Sequence, residues 1–599
     1  MFRFTIHNRA PVIMNYNLNE LNNGREKQST YKALRSLLKL ISNEHKNLWL
    51  ALIAILVNSG LLLLGPLLIG HTIDTYIRTK QFHGVLIFGG VLLVMYMIAM
   101  FTGYTQTRLM GGVGQRMLYT LRNAIFNKLQ ELPVSFFNQN KVGDLISRVN
   151  NDTDKLNQFF SQSLMQFIGS IVTMIGAGIF LLSINVELGA ATLAPAVVIV
   201  LFTVALSPWV KAKNAKNLKS VGGMSAEIQE SLNNFKVIIA FNRRDYFRKR
   251  FNEANTKNYK TAINAGLANN TFVPVYGLLS SIAQLITLLF GIHLIAKGHF
   301  TLGLLVSYIS YTTNFYNPLR QLAALWTSFQ VAMASWDRIS QILSLESNLK
   351  QLALNETATS TALIEFKNVH FSYDDSKEIL HNINLRFEKG KTYALIGPTG
   401  GGKTTTASLI SRLYDPTKGT VLLNGKDIRS FSAAERTQKI GFILQEPFLF
   451  TGTVKENILY GNSQYKSVTD AELQKIIEEA NLNALLAIFN EGLSTQITSG
   501  SDSISLGQKQ LIAFMRAVLR NPELLILDEA TANIDTITEQ LLGSILNKLS
   551  KETTLVIIAH RLNTIENADE IYFVNEGEVQ KAGTLDDALN MLLKGKRVS

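Results

Sequence analysis

Six apolar runs of about twenty residues each, all before residue 340, constrain this chain more than any other feature of it. They cover roughly 48–70, 84–104, 162–183, 188–209, 272–295 and 301–325. A helix of about 20 apolar residues crosses the hydrocarbon core of a bilayer. The first two runs, LWLALIAILVNSGLLLLGPLLIG and GVLIFGGVLLVMYMIAMFTGY, have no charge over their middle, whereas a helix at a soluble surface carries a polar face. Composition agrees, with 47% hydrophobic and 17% charged residues against about 25% charged in soluble domains. A six-span helical membrane domain is expected, and a wholly soluble or disordered chain is excluded. The absence of cysteine removes any disulfide framework, thiolate metal site or cysteine nucleophile.

The net charge of +13 could indicate nucleic acid, but basic loops beside an anionic membrane give the same excess. Its distribution favours the membrane. Arg108, Arg116, Arg122, Lys128, Lys141, Arg148 and Lys155 lie between the second and third runs. Lys211, Lys213, Lys216, Lys219 and the cluster Arg243, Arg244, Arg248, Lys249, Arg250 lie between the fourth and fifth. The other connections are short, with only Arg78, Lys80 and Lys297 as bases. Basic loops stay on the cytoplasmic side, so both termini and the two long loops are expected there. Those loops have a polar helical pattern, so spans two to five should run on as long cytoplasmic helix extensions.

Residues 1–30 are polar and lack the apolar core of a secretory signal; they read as a flexible tail. Residues 31–46 space leucines against lysines, as in an interfacial helix. The membrane domain then covers 31–340 and a polar linker 341–362. From 363 to 599 short strands and helices alternate, the pattern of an α/β domain.

This second half holds the chemistry. Gly397, Pro398, Thr399, Gly400, Gly401, Gly402, Lys403 and Thr404 match G-x-x-x-x-G-K-[ST], between an apolar strand ending at Ile396 and a helical stretch that opens with Thr405. Glycines let backbone N–H groups face phosphates, the helix N-terminus adds its dipole, Lys403 reaches the β/γ oxygens and Thr404 can ligate Mg2+. In LLILDEA an apolar strand ends in Asp528, placed to hold Mg2+, and Glu529, placed to polarise the attacking water. The strand TTLVIIAHR finishes at His560, within reach of a γ-phosphate. Each element alone has a bland reading, a solvated strand end or a structural cap; together they point to a P-loop NTPase.

The segment ISLGQKQLIAFMRAVLRNPELLILDEATANID closely resembles the signature, Walker B and D-loop block of ATP-binding cassette (ABC) proteins. Upstream, SFFNQNKVGDLISRVNNDTDKL and ASWDRISQIL resemble the first intracellular loop and last span of half-size ABC exporters, so the likeness covers about 31–590. The resemblance implies ATP and Mg2+ as cofactors, with Tyr373 stacking on adenine, Gln445 as the Q-loop residue sensing Mg2+ and the membrane helices, Asp535 in the D-loop and His560 as switch histidine. Ser505, Gly507 and Gln508 fall in the signature, which in the family contacts ATP held by the opposite cassette. It further implies ATP-driven export across the cell (inner) membrane by alternating access, as half of a dimer, with the cassette cytoplasmic.

Two departures from the family pattern stand out. The usual L-S-G-G-Q is Ile504, Ser505, Leu506, Gly507, Gln508, with leucine at a glycine position, and the segment before it reads TSGSDS without the usual glutamate. Glycine often marks close backbone approach to a ligand, so Leu506 is expected to impair the site it closes, and the chain is expected to pair with a different chain that keeps the intact signature. Multidrug efflux is the expected substrate class, with a lipid or lipid-linked substrate as alternative and a peptide behind that. Tyr308, Tyr311 and Phe315 share one face of the sixth run; with Phe290 and Tyr96 they either line an aromatic cavity for small hydrophobic compounds or pack against neighbouring helices and membrane lipid. A DNA-acting soluble ATPase is disfavoured by the six runs, and no nucleic-acid partner is expected; an ATP-gated channel stays open.

Overall fold

The computed structural model describes residues 16–18, 20, 44–349, 351–352, 362–374, 377–462, 464–465, 467–498, 504–528, 536–549, 553–558, 565 and 568–595. The expected interfacial helix over 31–46 lies almost wholly outside them. The chain forms two compact units. One comprises Arg25–Lys128 and Gly143–Leu343; the other comprises Met1–Gly24, Leu129–Val142 and Ser344–Ser599.

Long helices make up the first unit. Among the described residues five are long and apolar enough to cross a membrane: His45–Ile77, Phe82–Glu131, Val142–Ile184, Val186–Asn233 and Arg244–Ala296. Their lengths, 50 residues for Phe82–Glu131 and 48 for Val186–Asn233, exceed what a bilayer needs by more than a factor of two at about 20 residues per crossing. The sixth expected span lies in the helix Leu302–Leu343, which does not reach the same apolarity, so the count of six spans is not met on this measure. The reason is visible in its contacts. Its polar groups turn inward: Ser307 donates to the Pro66 carbonyl at 2.6 Å, Tyr316 to the Thr192 carbonyl at 2.7 Å, and Thr312 shares a hydrogen bond with Thr287.

Small residues bring the first and sixth long helices together. A Cβ on Gly70 or Gly303 would meet the other residue's carbonyl oxygen, the close approach that small residues permit between apolar helices. Beside this crossing Asp74 accepts hydrogen bonds from the Thr301 hydroxyl and the Gly303 amide, the latter at 2.8 Å, and so caps the start of Leu302–Leu343 from another helix.

Tyr308 and Tyr311 correct the cavity reading. Both are fully buried, and their phenols donate to the Leu181 carbonyl at 2.6 Å and the Leu63 carbonyl at 2.8 Å. They pack helix on helix, as a buried phenol with a bonding partner does.

Farther along the same helices a charged knot is buried. Arg148 and Asp152 are each only 1% exposed. Arg148 donates to Asp144 at 2.8 Å, to the Arg338 carbonyl at 2.6 Å and to Gln341 at 2.9 Å, while Arg338 reaches Asp152 at 3.1 Å and also Asp144. Lys155 adds a further contact to Asp152 at 3.2 Å, so each carboxylate of the set has cationic partners, as burial of charge requires.

The second unit is built on a six-stranded sheet. Its strands run in the order Glu578–Lys581, Glu570–Asn575, Thr392–Ile396, Thr554–Ile558, Leu524–Asp528, Ile440–Ile443, all parallel after the first. Strands buried on both faces read as continuous apolar runs, and Leu524–Asp528 is an example. Leu524 and Ile526 join a core with the helix Lys403–Ile410 and with Ala362–Ser372 and Glu378–Glu388 of a four-stranded antiparallel sheet. Leu525 and Leu527 join another core with Leu473, Ile477 and the helix Leu506–Val518. Tyr16 and Leu18 also belong to this unit and are each 1% exposed, so a flexible tail across 1–30 does not hold at those residues.

Candidate functional site

The C-terminal ends of neighbouring parallel strands converge on one region, the place where open α/β sheets bind ligands. Thr392–Ile396 is buried throughout and delivers Gly397. A Cβ at Gly397 or at Gly401 would overlap the Val574 carbonyl oxygen, and Gly397 holds a φ of 146° that disfavours any other residue. The loop is thus pressed against the adjacent strand and turns into the helix Lys403–Ile410.

Lys403, 6% exposed, donates from Nζ to the Gly397 carbonyl at 2.8 Å and the Pro398 carbonyl at 3.0 Å. Its ammonium therefore lies in the mouth of the loop, where an anion would replace carbonyl oxygens as partner. Thr404 donates to Asp528 Oδ1 at 3.3 Å, and Asp528 is 2% exposed at the end of its strand. A hydroxyl and a buried carboxylate side by side are hard oxygen donors and fit Mg2+. Gln445 follows the neighbouring strand Ile440–Ile443, whose Ile443 pairs with Leu527, and its side chain is exposed. Glu529, Asp535 and His560 lie outside the described residues; the strands that lead to Glu529 and His560 pair in register, Asp528 beside Ile558.

Tyr373 borders the loop from the antiparallel sheet. Its phenol shares a hydrogen bond with Thr405 at 3.0 Å, its ring stands edge-on to Phe371 and Tyr414 at 4.8 and 5.1 Å, and it is 40% exposed. Half-exposed and fixed on three sides, it offers a flat face to a base. Tyr414 and Asn138, which sequence reading did not single out, are joined by a hydrogen bond of 2.7 Å. Through it the short helix Val134–Gln139 is tied to the tyrosine pair.

The signature residues sit elsewhere in this unit. Ser505 caps the helix Leu506–Val518: Gln508 N donates to Ser505 Oγ at 3.1 Å and Ser505 N to Gln508 Oε1 at 3.0 Å, a capping box. Leu506 is the first helical residue and 42% exposed, followed by Gly507. Its backbone needs no glycine; any cost of leucine falls on what docks against this helix start. Past Gln445, Arg516 holds the chain by donating to the Asn457 and Phe448 carbonyls at 2.8 and 3.1 Å and lying over the Tyr460 ring. Burial pulls its guanidinium below the ordinary value.

Comparison with known proteins agrees with this geometry. Residues 48–319 match the family model of the ABC transporter transmembrane region and residues 380–532 the family model described as ABC transporter. The chain is 33% identical to the ABC transporter ATP-binding protein YfiC of Bacillus subtilis (strain 168), over 94% of each chain. It is 33% identical to a fatty acid ABC transporter ATP-binding/permease protein of Mycobacterium bovis, over 82% of this chain and 77% of that one. It is 30% identical to the ABC multidrug transporter mdr2 of Aspergillus fumigatus, over 94% of this chain and 72% of that one.

Proposed function

Because this chain belongs to the ABC transporters, as an exporter half in which a membrane domain is fused to an ATPase domain, we propose that it exports hydrophobic or amphipathic compounds, multidrug efflux above all, paired with a different ABC half. ATP hydrolysis coupled to transport, ATP with Mg2+ as cofactor, a multi-pass membrane location and work as a dimer belong to the family as a whole. The rest is our reading: the cell (inner) membrane, cytoplasmic termini and ATPase domain, six spans, the substrate and the identity of the second half.

In this reading Tyr373 carries the adenine, the loop from Gly397 to Gly402 with Lys403 and Thr405 carries the phosphates, and Thr404, Gln445 and Asp528 hold Mg2+. Held there by Thr404, Gln445 and Asp528, Mg2+ would supply neutralisation of charge on the phosphates. Glu529 accepts a proton from the attacking water, and His560 steadies the γ-phosphate. Asp535 lies in the D-loop, and Ser505, Gly507 and Gln508 close over the ATP held by the other half.

The observation that carries the pairing is Leu506, exposed at the helix start where the other half's ATP would dock. Two copies of this chain would put leucine at both sites. A partner with intact L-S-G-G-Q would leave one competent site, formed by Lys403, Asp528, Glu529 and His560, and one slow site closed by Leu506. Phe235, Val237 and Phe241, more than half exposed around the short helix Phe235–Ala240, give a second half an apolar face to cover.

The test is purification of this chain alone and co-expressed with the product of the adjacent gene. ATPase stimulated by a hydrophobic cationic dye only in the mixed complex, and lost on Glu529→Gln, is expected; full stimulated activity from the chain alone would sink the heterodimer. Unchanged dye accumulation in a drug-sensitive bacterium, with ATPase stimulated by a fatty acid or lipid, would move the substrate to the class named for the mycobacterial relative.

A further inference from the structure

Residues 16–18 are held by side chains more than a hundred positions away. Tyr16 N donates to Gln139 Oε1 at 2.7 Å and Leu18 N to Asn140 Oδ1 at 3.1 Å, while Asn140 Nδ2 donates to the Tyr16 carbonyl at 2.9 Å and to the Phe136 carbonyl at 2.7 Å. One asparagine thus ends the short helix Val134–Gln139 and grips a second strand of chain. The Tyr16 ring stands edge-on to the fully buried Phe136 at 6.3 Å. Its phenol donates to the Glu346 carbonyl and accepts from Asn348 N, both at 2.9 Å.

Those last partners lie just after the helix Leu302–Leu343. The chain continues into Gln351, which donates to the Ser430 carbonyl at 2.9 Å, and Leu352, whose amide donates to the Arg429 carbonyl at 3.0 Å. On the other side Asn138 reaches Tyr414. Tyr16 therefore sits between two connections from the ATPase domain to the long helices, each fastened to that domain by its own hydrogen bonds. Both of its backbone groups and its hydroxyl are satisfied, so its burial leaves no polar group orphaned; burial pushes the phenol up, which keeps it a neutral donor.

We propose that Tyr16–Leu18 is a strap that binds the loop helix Val134–Gln139 to the segment leaving Leu302–Leu343, so that both connections move together when the ATPase domain responds to nucleotide. Without the strap each connection can shift alone, and nucleotide binding is no longer passed on in full to the membrane domain. The proposal rests on ATP-driven transport as the chain's activity, not on the substrate.

The native chain lacks cysteine, so two spin labels can be placed at Thr79→Cys and Lys297→Cys in the full complex in lipid nanodiscs. The reading is the change in their separation on trapping with ATP and vanadate, divided by the nucleotide trapped. Tyr16→Ala should trap nucleotide as the parent does while the change falls to half or less. Tyr16→Phe, which keeps the ring and loses two hydrogen bonds, should fall between. Gln139→Ala removes one backbone tether and tests the strap should Tyr16→Ala not assemble. A full change in both Tyr16→Phe and Gln139→Ala overturns the strap, as does loss of trapped nucleotide in step with the change, the result of a merely structural role. Ethidium stimulation of ATPase is recorded on the parent complex; its absence beside an intact change in separation counts against the substrate class, the strap being judged on the change alone.

Discussion

The Asn138 carboxamide donates to the Tyr414 phenol across 2.7 Å, and the Tyr414 ring stands edge-on to Tyr373. The helix that carries Asn138 thereby ends two contacts from the face offered to a nucleobase. Tyr373→Ala should weaken ATP binding by roughly 1–3 kcal/mol, the usual worth of a base-stacking ring. Tyr414→Phe keeps the ring and should leave the ATP KM unchanged while loosening the helix by about 1 kcal/mol, one hydrogen bond. ATP titration of both variants, with hydrogen exchange over Val134–Gln139, separates the effects.

Hydrolysis should depend on Glu529 and His560 without binding depending on them. Glu529→Gln leaves Asp528 and Lys403 in place and should slow turnover by a factor on the order of 100 or more, the scale of a lost general base. His560→Ala should act in the same direction. Phosphate release measured beside nucleotide affinity checks both, and normal release from Glu529→Gln would remove it from the base role.

The Gly70–Gly303 crossing should tolerate no side chain. Gly303→Ala drives a methyl into the Gly70 carbonyl and the Asp74 carboxylate and should destabilise the membrane domain by about 1–3 kcal/mol, as overpacking does. Gly89→Ala is the control, since nothing lies within 4 Å of its Cβ position. Thermal unfolding in detergent should separate the two variants, and equal melting would contradict the crossing.

Arg148→Met should cost roughly 1–3 kcal/mol, because it withdraws a buried donor from Asp144, the Arg338 carbonyl and Gln341. Asp144 and Asp152 keep Arg338 as partner, and Arg148→Lys, which retains a cation and donor beside Asp144, should recover part of the loss. Expression level and unfolding temperature read this out.

Acid should weaken the ATPase domain partly through Glu378. Its carboxylate accepts from His370 at 2.6 Å and lies 3.1 Å from His381, and the His370 hydrogen bond first, then that of His381, holds it below the usual carboxylate value of 4.5. A carboxyl lowered by folding stabilises the fold above its unfolded pKa and loses that contribution as pH falls through the folded one. Glu378→Gln should therefore lower stability near pH 7, where the contribution is present in full, and differ little from the parent well below about pH 4.5, so that the acid limb of the stability curve flattens. An unchanged acid limb would exclude it.

Local features were legible in the sequence. The apolar runs and the glycine-rich loop are written in consecutive residues, and the strand ending in Asp528 declares itself by an unbroken apolar run. What depends on distant partners was not. Periodicity puts Tyr308 and Tyr311 on one helix face but cannot say that Leu181 and Leu63 carbonyls wait there, so an aromatic cavity was as good a reading as packing. Asn138 and Tyr414 lie 276 positions apart, and Tyr16 stands in a polar stretch whose composition suits a tail. Leu506 was read through the freedom of glycine, yet the position starts a regular helix, and its consequence lies in what meets it.

The alternation along Leu524–Ile526 and Leu525–Leu527 has a further consequence. A strand wedged between two dense cores has no direction in which to yield, so the height at which Asp528 stands is settled by two packing problems at once. A methyl group added on one side is answered by displacement toward the other, and the carboxylate records the sum. Drift in either core is thus corrected, if at all, by change in the opposite one, and paired volume exchanges across this strand, Leu473 or Ile477 against Leu409 or Ile410, should be tolerated where single ones are not.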